Sequence, residues 1–172
     1  ELDPLAAQKM GLKAVPYISV DNEKGAYEAT RYITEQITTP ETTVLLLEGI
    51  PSAKNSAARK AGALKAFQEN HNITTILQDS ANWKIDEGYQ KTKYNFEKNP
   101  QITAVFCAND MMALGAINYL HEVGRKDVLV AAFDNLDEIK TNLFEGCLQA
   151  TVDQQADQQG YLGIFYAWQA LQ

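Results

Sequence analysis

Short runs of β-branched and aliphatic residues alternate along the chain with longer stretches in which apolar residues recur at helical spacing. Runs of the first kind predict strands, and stretches of the second kind predict amphipathic helices. The predicted strands are Pro16–Val20, Thr43–Leu47, Ile73–Gln78, Thr103–Cys107, Val128–Phe133 and Gln149–Val152. The predicted helices are Glu23–Ile37, Ser56–Glu69, Ile85–Glu97, Met111–Glu122, Leu136–Phe144 and Gln158–Leu171. Such regular alternation is typical of βαβ units.

The patterns within single elements indicate how the strands and helices are covered. The run Val44–Leu47 is continuously apolar, as expected for a parallel strand that is buried on both faces. The helix over 56–69 carries Ala57, Ala61, Leu64 and Phe67 on one apolar face. We therefore predict an α/β fold, with a doubly wound, mostly parallel sheet and helices on both faces.

Length and composition narrow the class of protein. A chain of 172 residues is enough for one domain, or two small ones. Hydrophobic residues make up 45% and charged residues 22%, which is ordinary for a globular protein. The net charge of −7 argues against a nucleic-acid or anionic-membrane surface. The chain begins at Glu1 without a basic and apolar leader, so we expect a processed chain or a piece of a longer protein.

Cysteines and histidines give no sign of a metal site. Cys107 and Cys147 are the only cysteines, and both lie in apolar contexts that predict buried thiols, with a disulfide as the less favoured alternative. His71 and His121 are isolated and lie in polar contexts, which predicts solvated side chains. We expect neither a metal site nor a cofactor.

The turns that follow the predicted strands carry the candidate chemistry. Ligands of parallel α/β sheets bind beyond the carboxyl ends of the strands. The candidate binding residues at that edge are Arg59, Trp83, Asn109, Asp134 and Gln154. An aromatic ring can cover the C–H face of a sugar, while charged and amide groups bind its hydroxyls. The set therefore suits a hydroxyl-rich ligand.

Each candidate also has a structural alternative. Asn109 or Asp134 could cap the following helix, and Asp110 is the better cap beside Asn109. Arg59 could be a solvated residue in the first turn of its helix, and Trp83 could be core. Their shared position at one edge of the sheet favours the binding interpretation.

Motifs of enzymes are missing from the sequence. It contains no GxSxG, no HExxH, no GxxxxGK[ST] and no GxGxxG after a predicted strand. We therefore predict a protein that is not an enzyme.

Several segments of the chain carry motifs that are found together in one protein family. Residues 105–116, VFCANDMMALGA, are similar to the family's FAxND-x-MALGA segment. Residues 56–62 resemble its SAAR helix start, 130–134 its VxGFD strand, and 146–154 its G-x-L-x-ATV-x-Q segment. Residues 20–25 resemble the entry to its hinge. These motifs follow the family order over nearly the whole chain, which therefore resembles ribose-type periplasmic sugar-binding proteins and the related repressor cores.

The resemblance implies a role for each candidate. Arg59 would bind sugar hydroxyls, and Trp83 would replace the usual Phe as the stacking ring. Asn109 would form a hydrogen bond to the sugar, Asp134 would pair with two hydroxyls, and Gln154 would lie at the hinge.

A further candidate lies near the start of the chain. Residues 2–4 match the family's LDR segment in part, which makes Asp3 a candidate ligand residue. Pro4 stands where the family has Arg, so one expected sugar contact is missing. A related pentose, hexose or other polyol is therefore as well supported as ribose.

The resemblance also implies a division into lobes. Residues 1–20 would be a remnant of an N-terminal lobe and its hinge, 21–153 the C-terminal sugar-binding lobe, and 154–172 a hinge and helix of the N-terminal lobe. The rest of that lobe would then be missing from the chain. Sugar would bind between the two hinged lobes.

The function implied is non-catalytic binding of a small sugar or polyol for delivery to an ABC-type membrane importer, in the periplasm or another extracytoplasmic space. The alternatives are the ligand-sensing domain of a histidine kinase or chemotaxis system, and the effector-binding core of a LacI-type repressor. A repressor would be cytoplasmic, and its DNA-binding segment would lie upstream, so this segment would contact no nucleic acid.

Overall fold

A computed structural model describes residues 17–170. The elements in chain order are α1 (Asn22–Thr34), β1 (Thr42–Glu48), α2 (Lys54–Glu69), β2 (Ile73–Ser80), α3 (Ile85–Lys98), β3 (Ile102–Cys107), α4 (Asp110–Glu122), β4 (Leu129–Ala131), a 3-10 turn (Asp137–Ile139), α5 (Lys140–Phe144) and α6 (Ala156–Ala170). These elements confirm the predicted alternation of strands and helices. Most of them begin and end within a few residues of the predicted positions. None of the helices within residues 17–170 combines the length and the apolar character needed to cross a membrane.

The chain divides into two compact units. The larger unit, Asn22–Asp153, contains the whole sheet and helices α1 to α5. The smaller unit combines Glu1–Asp21 with Gln154–Gln172, and α6 belongs to it.

The sheet of the larger unit is parallel and four-stranded, in the order β2-β1-β3-β4. Strand β1 lies between two neighbours, and its residues Val44, Leu45, Leu46 and Leu47 are fully buried. This confirms the strand that the continuous apolar run predicts.

Two pairs of helices cover the sheet. Helix α1 packs on α2, and α3 packs on α4. The chain moves outward from β1 to β2 and then returns across β1 to β3, so right-handed crossovers place α2 and α3 on opposite faces. The carboxyl ends of β1 and β3 flank the point where the strand order reverses, which is the usual place for a ligand.

Two predicted strands are wrong. Residues 17–20 are irregular, and the predicted start Pro16 lies outside the described residues. Residues 149–153 make only isolated bridges to the end of β4 and the turn after it, those of Ala131 with Ala150 and of Asp134 with Asp153. At the start of this segment the Gln149 side chain, instead of a backbone carbonyl, accepts the hydrogen bond from the Val130 N–H.

The predicted helix Leu136–Phe144 is also corrected. It begins as the 3-10 turn over Asp137–Ile139 and continues as the five-residue helix α5. The helix predicted over Gln158–Leu171 starts two residues earlier, at Ala156, and its predicted end at Leu171 lies outside the described residues.

The apolar face that the sequence indicates on α2 is not the face that packs inward. Ala57 and Ala61 are exposed, Leu64 is half-buried, and Phe67 alone of the four is buried. The buried residues of α2 are Ser56, Arg59, Gly62, Ala63, Ala66 and Phe67. The polar residues Ser56 and Arg59 therefore lie on the inner face of the helix, so a pattern of hydrophobic residues does not identify that face.

The two cysteines differ in environment. Cys107 is fully buried at the end of β3, as predicted, whereas Cys147 is only half-buried, so its predicted burial is wrong. Both are free thiols. His71 and His121 are exposed, as predicted, and Nε2 of His121 lies 3.1 Å from Sγ of Cys147.

Candidate ligand-binding site

Arg59 is the central side chain at the carboxyl edge of the sheet. It extends from the buried face of α2, and only 3% of its side chain is exposed. Its Nε donates to Oδ1 of Asn22 at 2.9 Å, and its Nη1 donates to the carbonyl of Ala108 at 2.8 Å and to Oδ1 of Asp134 at 3.0 Å. Arg59 is thus not the solvated first-turn residue of the alternative interpretation, since α2 begins five residues earlier at Lys54.

Asp134 lies in a strained turn after β4. Its φ of 124° and the φ of 59° at Asn135 are both in the region that favours glycine. The Asp134 N–H donates to the carbonyl of Val152 at 2.9 Å, and 16% of its side chain is exposed. The turn aims the carboxylate at Arg59 rather than at the N-terminus of a helix, so the cap alternative for Asp134 is wrong.

Two aromatic rings flank the guanidinium. The Arg59 Cζ lies 3.8 Å from the centroid of the buried Phe133 ring and 5.6 Å from that of Trp83. A cation over a ring face is attracted by the quadrupole of the ring. Trp83 itself is half-buried, so it is not simple core.

Asn109 has a structural role as well as a place in the site. Its Oδ1 accepts the hydrogen bond of the Met112 N–H at 3.0 Å and thereby caps α4. Its Nδ2 lies 3.5 Å from the carbonyl of Trp83, the outer limit for a hydrogen bond. The expectation that Asp110 is the better cap is therefore wrong, because Asn109 has the extended backbone of a cap residue.

Asp110 instead holds the turn that carries Asp134. Its carboxylate is fully buried and accepts hydrogen bonds from the Leu136 N–H at 2.8 Å and from the Thr151 hydroxyl at 2.7 Å. Burial raises the pKa of Asp110 to about 6, and the negative charge of Asp134 acts in the same direction, while the two hydrogen bonds oppose it. Asp110 therefore ties the start of α4 to Leu136 and Thr151.

Four of the six candidates are brought together in the larger unit. Arg59, Trp83, Asn109 and Asp134 lie at one edge of the sheet, as predicted, although their binding roles stay predictions. Gln154 belongs to the smaller unit, where its carbonyl accepts a hydrogen bond from the Gln159 side chain. Asp3 lies outside the described residues, as does Pro4.

Three residues of the site were missed from the sequence. Asn22 binds Arg59 from the start of α1, Phe133 stacks on the guanidinium, and Gly49 lies against the Trp83 ring. Asn22 falls within the segment that resembles the hinge entry, which was the one signal for it. Phe133 was indistinguishable from any apolar strand residue, and Gly49 from any turn glycine.

The site offers groups suited to hydroxyl ligands. The guanidinium donates, the carboxylate accepts, the amide does both, and the indole offers an apolar face. Within residues 17–170, no cluster of three or more His, Cys, Asp or Glu side chains could hold a metal ion.

The comparison with protein families matches residues 7–172 to the periplasmic binding protein domain. The chain belongs to this family. Its curated relatives include the D-ribose/D-allose-binding protein of Pseudomonas aeruginosa, 32% identical over 161 residues, with 93% of this chain and 49% of that protein covered. The ribose import binding protein of Escherichia coli is 32% identical, with 88% of this chain and 51% of that protein covered.

A solved member of the family has the same fold. An ABC transporter periplasmic solute-binding protein of Actinobacillus succinogenes with bound D-allose is 36% identical, with a TM-score of 0.90, covering 98% of this chain and 59% of that chain. These named relatives are binding proteins rather than enzymes. The chain spans about half the length of the curated relatives it matches.

Proposed function

We propose that the chain binds a small sugar or polyol without chemical conversion, at the edge formed by Arg59, Trp83, Asn109 and Asp134. The observation that carries this proposal is the buried Arg59–Asp134 pair beside the half-buried indole of Trp83. A guanidinium can donate hydrogen bonds to sugar hydroxyls, and a carboxylate can accept hydrogen bonds from them. The indole can cover the C–H face of a sugar ring.

The division of the chain into lobes is part of the proposal. Residues 21–153 form the C-terminal sugar-binding lobe, while 1–20 and 154–172 belong to the hinge and to the N-terminal lobe. The grouping of Glu1–Asp21 with Gln154–Gln172 into one compact unit supports this division. We propose that Asp3 and Gln154 also bind the sugar.

The biological role that we propose is delivery of the sugar to an ABC-type importer from the periplasm. The ribose import binding protein and the D-allose-binding periplasmic protein of Escherichia coli among the relatives support this role and this location. They favour an importer over the sensor and repressor alternatives, and they give no support to a cytoplasmic location. D-allose and D-ribose are the ligands to try first.

The proposal is tested by titrating the isotopically labelled 172-residue chain with D-allose and D-ribose, using sucrose as a control. We expect saturable NMR shifts at Arg59, Trp83, Asn109 and Asp134. The affinity should be weak, because the chain would supply only one complete lobe of a site that lies between two. Tight binding by this chain would contradict the two-lobe arrangement. Shifts elsewhere, or no response to either sugar, would contradict the site.

A further inference from the structure

Gly49, at the carboxyl end of β1, lies directly against the indole of Trp83. A Cβ built on Gly49 would lie 2.2 Å from both Cζ2 and Cη2 of Trp83 and 2.3 Å from Cε2. Carbon atoms in contact are normally about 3.5 to 4.0 Å apart. The six-membered part of the indole therefore occupies the space that any side chain at position 49 would need.

The backbone of Gly49 gives no other reason for a glycine. Within residues 17–170, the glycines with positive φ are Gly124 and Gly146, so Gly49 has a conformation that alanine can adopt. The positive φ angles are instead on the other side of the contact, 48° at Asn82 and 68° at Trp83. Close approach of the ring is what requires glycine at position 49.

The two loops are also joined by hydrogen bonds. The Ser80 hydroxyl donates to the Gly49 carbonyl at 2.7 Å, and the Ala81 N–H donates to the Glu48 carbonyl at 3.0 Å. These bonds fix the strand ends from which Gly49 and Trp83 extend. Because these hydrogen bonds hold the two loops together, a methyl group added at position 49 would displace the Trp83 ring rather than separate the loops.

We infer that Gly49 is a positioning residue that sets the plane of the Trp83 indole beside Arg59, and through it determines which sugar face fits the site. The part of this inference that concerns the sugar rests on the proposed function. Gly49 does not touch the sugar in this account. It acts only through Trp83, and a phenyl ring at position 83 would depend on it less, because phenylalanine lacks Cζ2 and Cη2.

The first test measures the indole and needs no sugar. In a Trp168→Phe background, Trp83 is the only tryptophan, because the chain has two. We expect Gly49→Ala to move the indole N–H resonance of Trp83 and change its near-ultraviolet circular dichroism. Gly163→Ala is the matched control, because a Cβ at Gly163 meets nothing within 4 Å. An unmoved indole in folded Gly49→Ala would overturn the inference.

The second test measures affinity for D-allose. We expect Gly49→Ala to weaken binding about tenfold, which corresponds to about 1.4 kcal/mol. In a Trp83→Phe background, the same substitution should change affinity by no more than about twofold, and it should also be tolerated in thermal unfolding. This double variant keeps the test valid if Gly49→Ala alone fails to fold. An equal loss in both backgrounds would overturn the inference.

The two tests separate this inference from the proposed function. A wild-type chain that responds to no sugar would contradict the proposed function, and the indole measurement would still decide whether Gly49 positions Trp83. A displaced indole with unchanged D-allose affinity would contradict the role of Gly49 in fitting the sugar.

Discussion

Two arginine–aspartate pairs lie at opposite ends of the sheet of the larger unit. At the carboxyl edge, Arg59 and Asp134 are 3.0 Å apart, with 3% and 16% of their side chains exposed. At the amino edge, Arg125 binds Asp127 through two parallel hydrogen bonds of 2.8 and 2.9 Å, with 26% and 63% exposed. The better geometry thus belongs to the more exposed pair.

The partners of each arginine explain the difference. Arg125 also donates to the carbonyls of Pro100 and Ile102, so it ties a loop to the start of β3. Arg59 joins residues far apart in sequence and is stacked on an aromatic ring at the edge where ligands of such sheets bind. The proposed binding site therefore rests on burial at the carboxyl edge and not on the geometry of the ion pair alone.

The largest expected difference between the two pairs is in stability. We expect Arg59→Ala to lower the free energy of unfolding by about 3 kcal/mol or more, because it leaves a largely buried carboxylate without its cation. Arg125→Ala, which breaks an exposed pair and two hydrogen bonds, should cost about 1 to 2 kcal/mol. Urea unfolding of both variants measures the difference. Equal losses of unfolding free energy would contradict the distinction between the two ion pairs.

The two edges of the sheet should also differ in how the stability contributed by an aspartate changes with pH. Asp110 represents the carboxyl edge and Asp127 the amino edge. The pKa of Asp110 is about 6 in the folded chain, above the value of about 3.9 for an unperturbed aspartate. The folded state therefore binds the proton more tightly, and the contribution of Asp110 to stability is present below pH ~4 and lost as the pH rises through 6.

Asp110→Asn keeps the shape and removes this titration. The stability of the wild type relative to Asp110→Asn should fall by about 2 to 3 kcal/mol between pH ~4 and pH ~7. Parallel stability curves for the two proteins over this range would contradict the burial of an ionisable carboxyl there.

Asp127 should show the opposite and smaller dependence. The Arg125 guanidinium lowers the pKa of Asp127, so its contribution to stability is present at neutral pH and lost in acid. Because most of this side chain is exposed, the effect should be below about 1 kcal/mol. Asp127→Asn, unfolded in urea over the same pH range, tests this, and a change as large as that of Asp110→Asn would contradict it.

The two cysteines provide the smallest test. Cys107 is fully buried, and burial strongly raises the pKa of its thiol, whereas Cys147 is half-buried near the amino edge. We expect iodoacetamide to alkylate Cys147 in the folded chain and Cys107 only after unfolding, as followed by mass spectrometry. The variant Cys147→Ser is the control, because Cys107 is then the only cysteine. Alkylation of this variant in the folded state would show that Cys107 is accessible and would contradict the prediction.

The sequence predicted the parts of the fold whose signals are local. The run Val44–Leu47 is buried because a central parallel strand has no polar face, and the alternation of elements determines the edge at which the turns meet. Trp83, Asn109 and Asp134 are predictable at one edge because each follows a strand of the same parallel sheet.

The inner face of α2 was misidentified for a physical reason. Ser56 and Arg59 are buried there, while Ala57 and Ala61 face solvent. A hydrophobicity pattern assumes that polar residues are outside, and a buried charged residue violates that assumption at a candidate binding site. The bond from Arg59 to Asn22 joins residues distant in sequence, and no local pattern indicates it.

The most direct test of the account compares the two arginines in sugar binding. Arg59→Lys and Arg125→Lys each keep the charge but lose the planar, forked donor. Titrated with D-allose and followed by NMR at Trp83 and Asn109, Arg125→Lys should respond like the wild type, and Arg59→Lys should bind at least about tenfold more weakly, equivalent to about 1.4 kcal/mol. Unchanged D-allose affinity in Arg59→Lys would contradict the claim that the buried pair at the carboxyl edge is the sugar site.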